Sequence, residues 1–244
     1  MALVHEFEQS GNWLFKRRGW LPLFIFIPSL VYIYLSGAKH LEYRPGLEIA
    51  FLAVSLSGQV IRAVTVGRTP KNTSGRNINK QVAETLNTTG IYSVVRHPLY
   101  LGNFFMWLGL VIFVRSAWIA VIFCLAYWLY YERIMFAEEQ FLRRKFGESY
   151  DRWSEKVRSF IPSFRNYTRS DLPFSFRNVL KREYNGFGSL FIVFALLDII
   201  RNYTLEGSLS IHPMWALLLA FGFLTWIILR TMKKRTTWLN VQGR

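Results

Sequence analysis

The chain alternates long apolar runs with polar, cation-rich segments, and the runs have the length scale of a bilayer. A helix crossing the hydrocarbon core needs roughly 20 mostly apolar residues. Trp20 to Ala38 qualifies, with 19 residues and no charge. Leu47 to Val66 also qualifies, with Glu48 near one end and Arg62 near the other. Tyr100 to Val114 and Ala117 to Tyr131 are runs of 15 residues each, split only by Arg115 and Ser116. That spacing predicts a tight helical hairpin. Each arm rises only about 22 Å, so either the arms extend toward Pro98 and Glu132 or the hairpin penetrates the membrane incompletely. Gly188 to Ile200, short and carrying Asp198, and Pro213 to Leu229 predict a second hairpin. The pattern as a whole predicts an all-α, polytopic membrane protein with about six transmembrane helices. It divides into a two-helix membrane segment (1–66), a polar loop (67–89), a central core (90–162), and a basic amphipathic stretch with a C-terminal hairpin (163–244).

Charge tests this arrangement. The 244 residues include 30 Lys and Arg against 15 Asp and Glu, a net charge of +15, yet 52% are hydrophobic. Cytoplasmic segments of membrane proteins collect Lys and Arg. With both termini inside, 26 of the 30 basic residues fall on the inner side. Only Lys39, Arg44, Arg115 and Arg201 fall outside. Removing one span would destroy that alternation. Topology and attraction to anionic lipid head groups therefore account for the basicity, and nucleic-acid binding is not expected. The single cysteine, Cys124, excludes an intrachain disulfide. His5, His40, His97 and His212 are scattered without metal-ligand spacing, so no metal site is expected. Glu6 and Glu8 precede the first basic cluster and no small-x-small site follows the first apolar run, so no cleaved signal peptide is expected.

Two places concentrate chemistry. The polar loop ends in Arg96-His97-Pro98-Leu99-Tyr100. Pro98 suits the first turn of a helix, where its missing N–H costs nothing. Arg96 and His97 then lie at a helix N-terminus, where the dipole and free N–H groups favour an electron-rich ligand group. The plainer reading is a pair marking the membrane interface. The second place follows the fourth apolar run, with Glu132, Arg133, Glu138 and Glu139. If that helix continues, Glu132 and Glu139 share a face, with Glu138 beside it. Such carboxylates are commonly only solvated or paired with nearby cations. A cationic or diol-bearing ligand is the alternative partner, since a carboxylate accepts two hydrogen bonds from a ribose diol.

The run Gly90-x-Tyr92-x-x-x-Arg96-His97-Pro98-x-Tyr100-x-Gly102, a helical hairpin, and then Glu138-Glu139-x-x-Leu142-x-x-x-Phe146-Gly147-x-x-Tyr150 resembles the isoprenylcysteine carboxyl methyltransferase family and its phospholipid methyltransferase relatives. The match covers about Gly90 to Pro162, a third of the chain. The resemblance implies an integral membrane enzyme that uses S-adenosylmethionine (SAM). Tyr92, Arg96, His97, Pro98, Tyr100 and Gly102 would form one wall of the cofactor pocket, and Glu138 and Glu139 the other. Arg133 and Asn103 are the candidates for catalytic work at the acceptor, Arg133 through the acceptor's negative charge. The implied partner is a lipid or lipidated acceptor in the membrane. The loop Arg68 to Leu86 and the roughly 80 residues after Pro162 depart from the family pattern. Neither is expected to touch the SAM motif, but both could reshape the acceptor site.

The reaction this implies is in-line displacement of the sulfonium methyl by an oxygen nucleophile. An ionised carboxylate or phosphate needs no general base, which leaves positioning and water exclusion to the protein. The extra basic segment points to an anionic lipid, methylated at the cytoplasmic face of a bacterial inner membrane rather than in the endoplasmic reticulum. Prenylcysteine carboxyl methylation and phospholipid N-methylation are the nearest alternatives. An NADPH-dependent sterol or enone reductase has a similar Arg-His-x-x-Tyr region, but Asn103 stands where those enzymes resemble one another in having an acid. A transporter or scaffold would use Arg62 and Asp198 as pathway residues.

Overall fold

The computed structural model describes residues 2–20, 24, 26–73 and 81–244. Part of the first apolar run, and Arg76 and Lys80 of the polar loop, lie outside the described residues. Among the described residues all regular structure is helical. The elements are α1 (Leu3–Arg17), α2 (Ile27–Leu35), α3 (Pro45–Gly67), α4 (Pro98–Ile112), α5 (Ala117–Phe146), α6 (Glu148–Ser154), α7 (Phe176–Glu206) and α8 (Pro213–Arg235). Proline opens α2, α3, α4 and α8 within the first two positions, where no intrahelical donor is lost. Ser116 and Ser175 cap α5 and α7 with their side chains. Gly207, at φ 72°, closes α7 in the left-handed conformation.

The chain is a multi-pass membrane protein. Helices α3, α5, α7 and α8 are long and apolar enough to cross a bilayer, and α4 is a shorter apolar helix. Their outward faces carry exposed large apolar residues such as Val60, Trp118, Leu125 and Leu217. Their inward faces carry the polar groups. Along α3, Glu48, Ser55, Gln59 and Thr65 are all buried. In lipid each such group needs an internal partner. Helices α3 and α4 approach closely because glycines stand at their crossing. A Cβ on Gly58 would strike the Gly102 carbonyl, and one on Gly109 would strike Ser55.

At the end of the bundle marked by the α4–α5 turn, buried charges close on one another. Glu48 accepts from Arg201 at 2.7 Å, from Arg115 at 3.2 Å and from the Trp215 indole at 3.1 Å. Asp198 pairs with Arg201 and accepts from the His212 backbone N–H at 2.7 Å. Asp198 is thus a satisfied partner in a cluster that joins α3, α7, α8 and the α4–α5 turn. Arg115 and Arg201, both expected on the outer side, do converge at one end.

Three elements differ from the expected pattern. Residues 3–17 form an amphipathic helix, too short and polar to register as a span. It lies on the polar extension of α5, with Phe7 edge-on to Phe136 at 5.7 Å. Helix α5 runs without a break far past Glu132 to Phe146. Helix α7 begins at Phe176, a dozen residues before its apolar run, because Asn178 and Glu183 are buried by polar partners on α3.

Candidate functional site

The two motifs meet at the end of the bundle opposite the buried charge cluster. Along α5, Glu138 lies 22 residues beyond Ser116, about 33 Å at 1.5 Å per residue. That is close to the thickness of a hydrocarbon core. The first motif arrives as a short 3-10 turn, Gly90–Ser93, followed by an irregular step through His97 into Pro98 of α4. The segment after α6 doubles back beside it. Arg96 and His97 donate their backbone N–H groups to the carbonyls of Arg158 and Ser159 at 2.9 and 3.1 Å. The Trp153 indole donates to the Tyr92 carbonyl at 3.1 Å. Gly147 makes that return possible. It takes φ 53° and ψ −131° between α5 and α6, a conformation that strains any residue with a Cβ.

Glu138 and Glu139, on the polar extension of α5, face His97 from both sides. His97 Nε2 lies 2.9 Å from Glu139 Oε1, and Nδ1 lies 3.5 Å from Glu138 Oε2. Both ring nitrogens can serve carboxylates as donors only in the imidazolium form. Burial disfavours that charge, but the hydrogen bonds and negative charge of Glu138 and Glu139 outweigh it and hold the His97 pKa above its ordinary 6.5. Arg96 adds an ion pair to Glu139 at 3.0 Å and donates to the Ser154 carbonyl at 2.7 Å. The Tyr100 hydroxyl donates to Glu138 at 2.7 Å. Burial pushes the Tyr92 phenol up to about 12 and raises Tyr150 as well. Both therefore stay protonated at neutral pH.

Around this network lies a cavity of about 400 Å³, within the range of small-molecule sites. Of the residues singled out in the sequence, Tyr92, Arg96, His97, Pro98, Tyr100, Asn103, Glu138 and Glu139 line it. The structure does not bring the other two to the wall. Arg133 projects from the opposite side of α5 and stacks over the Phe7 ring of α1 at 3.3 Å. Gly102 packs under α3, where a Cβ would meet Arg62 Cγ at 2.5 Å.

Several lining residues escaped sequence reasoning. Arg62 reaches the cavity from α3, Phe15 and Arg18 from the end of α1, and Tyr131 from α5. The polar loop, expected to stay clear of the motif, contributes Asn72, Leu86 and Asn87 among others. One signal for Arg62 was present: it continues the buried polar stripe of Glu48, Ser55 and Gln59 at helical spacing.

A model of the phospholipid methyltransferase family matches residues 51–149, from α3 into α6. That span contains the motif residues from Gly90 to Gly147 and stops one short of Tyr150, and the resemblance read from the motifs is borne out. The chain is similar to protein-S-isoprenylcysteine O-methyltransferase of Schizosaccharomyces pombe, at 40% identity over 78 residues, 32% of this chain and 33% of that one. It is similar to the Tribolium castaneum protein of the same name, at 30% identity over 140 residues, 55% of this chain and 47% of that one. It is also similar to the nickel-cobalt-cadmium resistance protein NccN of Alcaligenes xylosoxydans xylosoxydans, at 35% identity over 118 residues, 48% of this chain and 52% of that one. The chain spans about half the length or less of these three relatives. No solved structure gives a significant match.

Proposed function

We propose that this protein is a SAM-dependent O-methyltransferase acting on a membrane-embedded, lipid-like acceptor with an anionic carboxylate or phosphate head. The observation that carries the reading is the convergence of Arg96, His97 and Tyr100 with Glu138 and Glu139 on one cavity. The residues present fit the cofactor. Carboxylates suit a ribose diol and an ammonium, a guanidinium suits a carboxylate, and Phe141, Leu142 and Trp153 offer apolar faces to a purine. Glu138 and Glu139 would hold the diol and ammonium, and Arg96 the carboxylate. Bound there, SAM would supply an electrophilic methyl carbon on a cationic sulfur.

The protein's own part is positioning. His97 and Arg96 together balance the charge of the two carboxylates and fix their rotamers, so the wall is built before the ligand arrives. Tyr100, tilted against Tyr131 at 4.8 Å, narrows the cavity with apolar ring surface and helps to exclude water. An acceptor carboxylate or phosphate is ionised at neutral pH, so no side chain has to remove a proton. The names of two of the relatives favour a prenylated cysteine carboxylate as the first acceptor to try. The hairpin α7–α8 lies outside the family match, which keeps a phosphate head group in play. The distribution of Lys and Arg supports a cytoplasmic position for this face.

The test is a radiolabel-transfer assay from SAM to a total lipid extract, followed by chromatography. Wild-type protein is expected to label a lipid fraction, with Glu138→Gln and His97→Ala reduced at least about tenfold, as expected for loss of a charge-assisted hydrogen bond. Full activity in both variants would show that the site is elsewhere.

A further inference from the structure

We propose that Arg62 is the receptor for the acceptor's anionic head group and that Glu183, on the C-terminal hairpin, is the residue that positions it. This rests on the methyltransferase reading above and names the acceptor subsite within it.

Arg62 enters the cavity where α3 and α4 cross. Gly58 and Gly102 let the two backbones close, and the bare Gly102 lets the Arg62 stem pass over α4. The guanidinium is then gripped along one edge. Its Nε donates to Glu183 Oε2 at 2.7 Å and its Nη2 to Glu183 Oε1 at 3.0 Å. Nη1 donates to Asn103 Oδ1 at 2.7 Å. Glu183 is itself buried and braced by the Gln59 amide at 3.2 Å. These bonds leave one N–H on each terminal nitrogen. That remaining pair is a planar fork of the shape that takes a carboxylate or phosphate with two parallel hydrogen bonds. Because Glu183 and Asn103 fix the plane of the group, little side-chain entropy is left to lose when an anion binds.

Position agrees with this role. Asn103 lies five residues into α4 from Pro98, and Tyr131 lies seven residues before Glu138 on α5. The Arg62 floor is therefore about 7–10 Å deeper toward the bundle interior than the Glu138–Glu139 wall. A nucleotide held at that wall and a lipid head lowered onto the floor would meet between them. The Arg18 guanidinium, at the end of α1, also lines the cavity. Glu183 lies beyond the matched residues 51–149, so the C-terminal hairpin becomes part of the acceptor site.

The test uses the full chain in detergent with two defined acceptors, N-acetyl-S-farnesylcysteine and dioleoyl phosphatidic acid. Methyl transfer from radiolabelled SAM gives KM and kcat, and calorimetry gives the affinity for S-adenosylhomocysteine (SAH). Wild type is expected to methylate at least one acceptor. Arg62→Lys keeps the charge and loses the fork, and Glu183→Gln keeps the shape and loosens the grip. Each is expected to raise the acceptor KM about tenfold or more, with a smaller change in kcat and SAH affinity within about twofold of wild type. Unchanged SAH affinity also shows that the variants are folded. An unchanged KM, no methylation of either acceptor by wild type, or a parallel loss of SAH affinity would overturn the assignment. The last result would place Arg62 on the cofactor instead. Failure of wild type to bind SAH would overturn the methyltransferase reading itself.

Discussion

At the scale of single residues, His97 carries the most specific consequence. Its folded pKa lies above the ordinary 6.5. The stabilisation from its imidazolium bonds is therefore complete below 6.5 and fades as pH rises through the raised folded value. Thermal unfolding across that window is expected to show wild type losing stability with rising pH, while His97→Gln stays nearly flat there. Parallel profiles would mean that the imidazole is neutral throughout. Arg133 makes the opposite case. Its ring contact with Phe7 predicts that Arg133→Ala lowers stability by about 1 kcal/mol and leaves the acceptor KM unaltered; a large rise in KM would restore it to the site. Arg96, His97, Glu138 and Glu139 were legible in the sequence because their types and spacing are unusual at a membrane boundary. Arg62 was not, because a basic residue near a span's end is ordinarily explained by snorkelling. Only the position of Glu183, far along the chain, shows that it is gripped from inside.

At the scale of elements, the apolar runs announced the spans and missed what polar partners made possible. The first half of α7 reads as a solvated basic stretch, yet Asn178 donates to the Val66 carbonyl at 2.6 Å and Glu183 pairs with Arg62, so the helix continues. Helix α1 lacks a long apolar run. Its packing depends on Gly11, where a Cβ would strike the Arg133 carbonyl. The turn at Gly147 is the point where one substitution should separate local strain from site assembly. Gly147→Ala is expected to cost about 1–3 kcal/mol and to weaken SAH binding as Tyr150 and Trp153 shift. Calorimetry and melting on the same sample check this, and unchanged values would show that the turn tolerates a side chain.

At the scale of the whole molecule, two polar centres stand at opposite ends of one apolar bundle, and only one of them has a cavity lined by the motif residues. The other is a closed cluster whose charges satisfy one another. Glu48→Gln leaves Arg115 without its carboxylate and Arg201 with Asp198 alone, and is expected to lower stability by about 3 kcal/mol. The SAH affinity of the folded protein should not change, because the cluster lies about 33 Å from Glu138 along α5. The sequence announced this polarity through its charge alternation, but not the covering of the cavity by the polar loop and α1. Those contacts arise between segments far apart in the chain and follow no periodicity. The most direct measurement is calorimetric titration of the purified protein with SAH and, separately, with NADPH. A single saturable site for SAH is expected, weakened at least about tenfold by Glu139→Gln, with no response to NADPH. Binding of NADPH in place of SAH, or SAH binding indifferent to Glu139, would contradict the account.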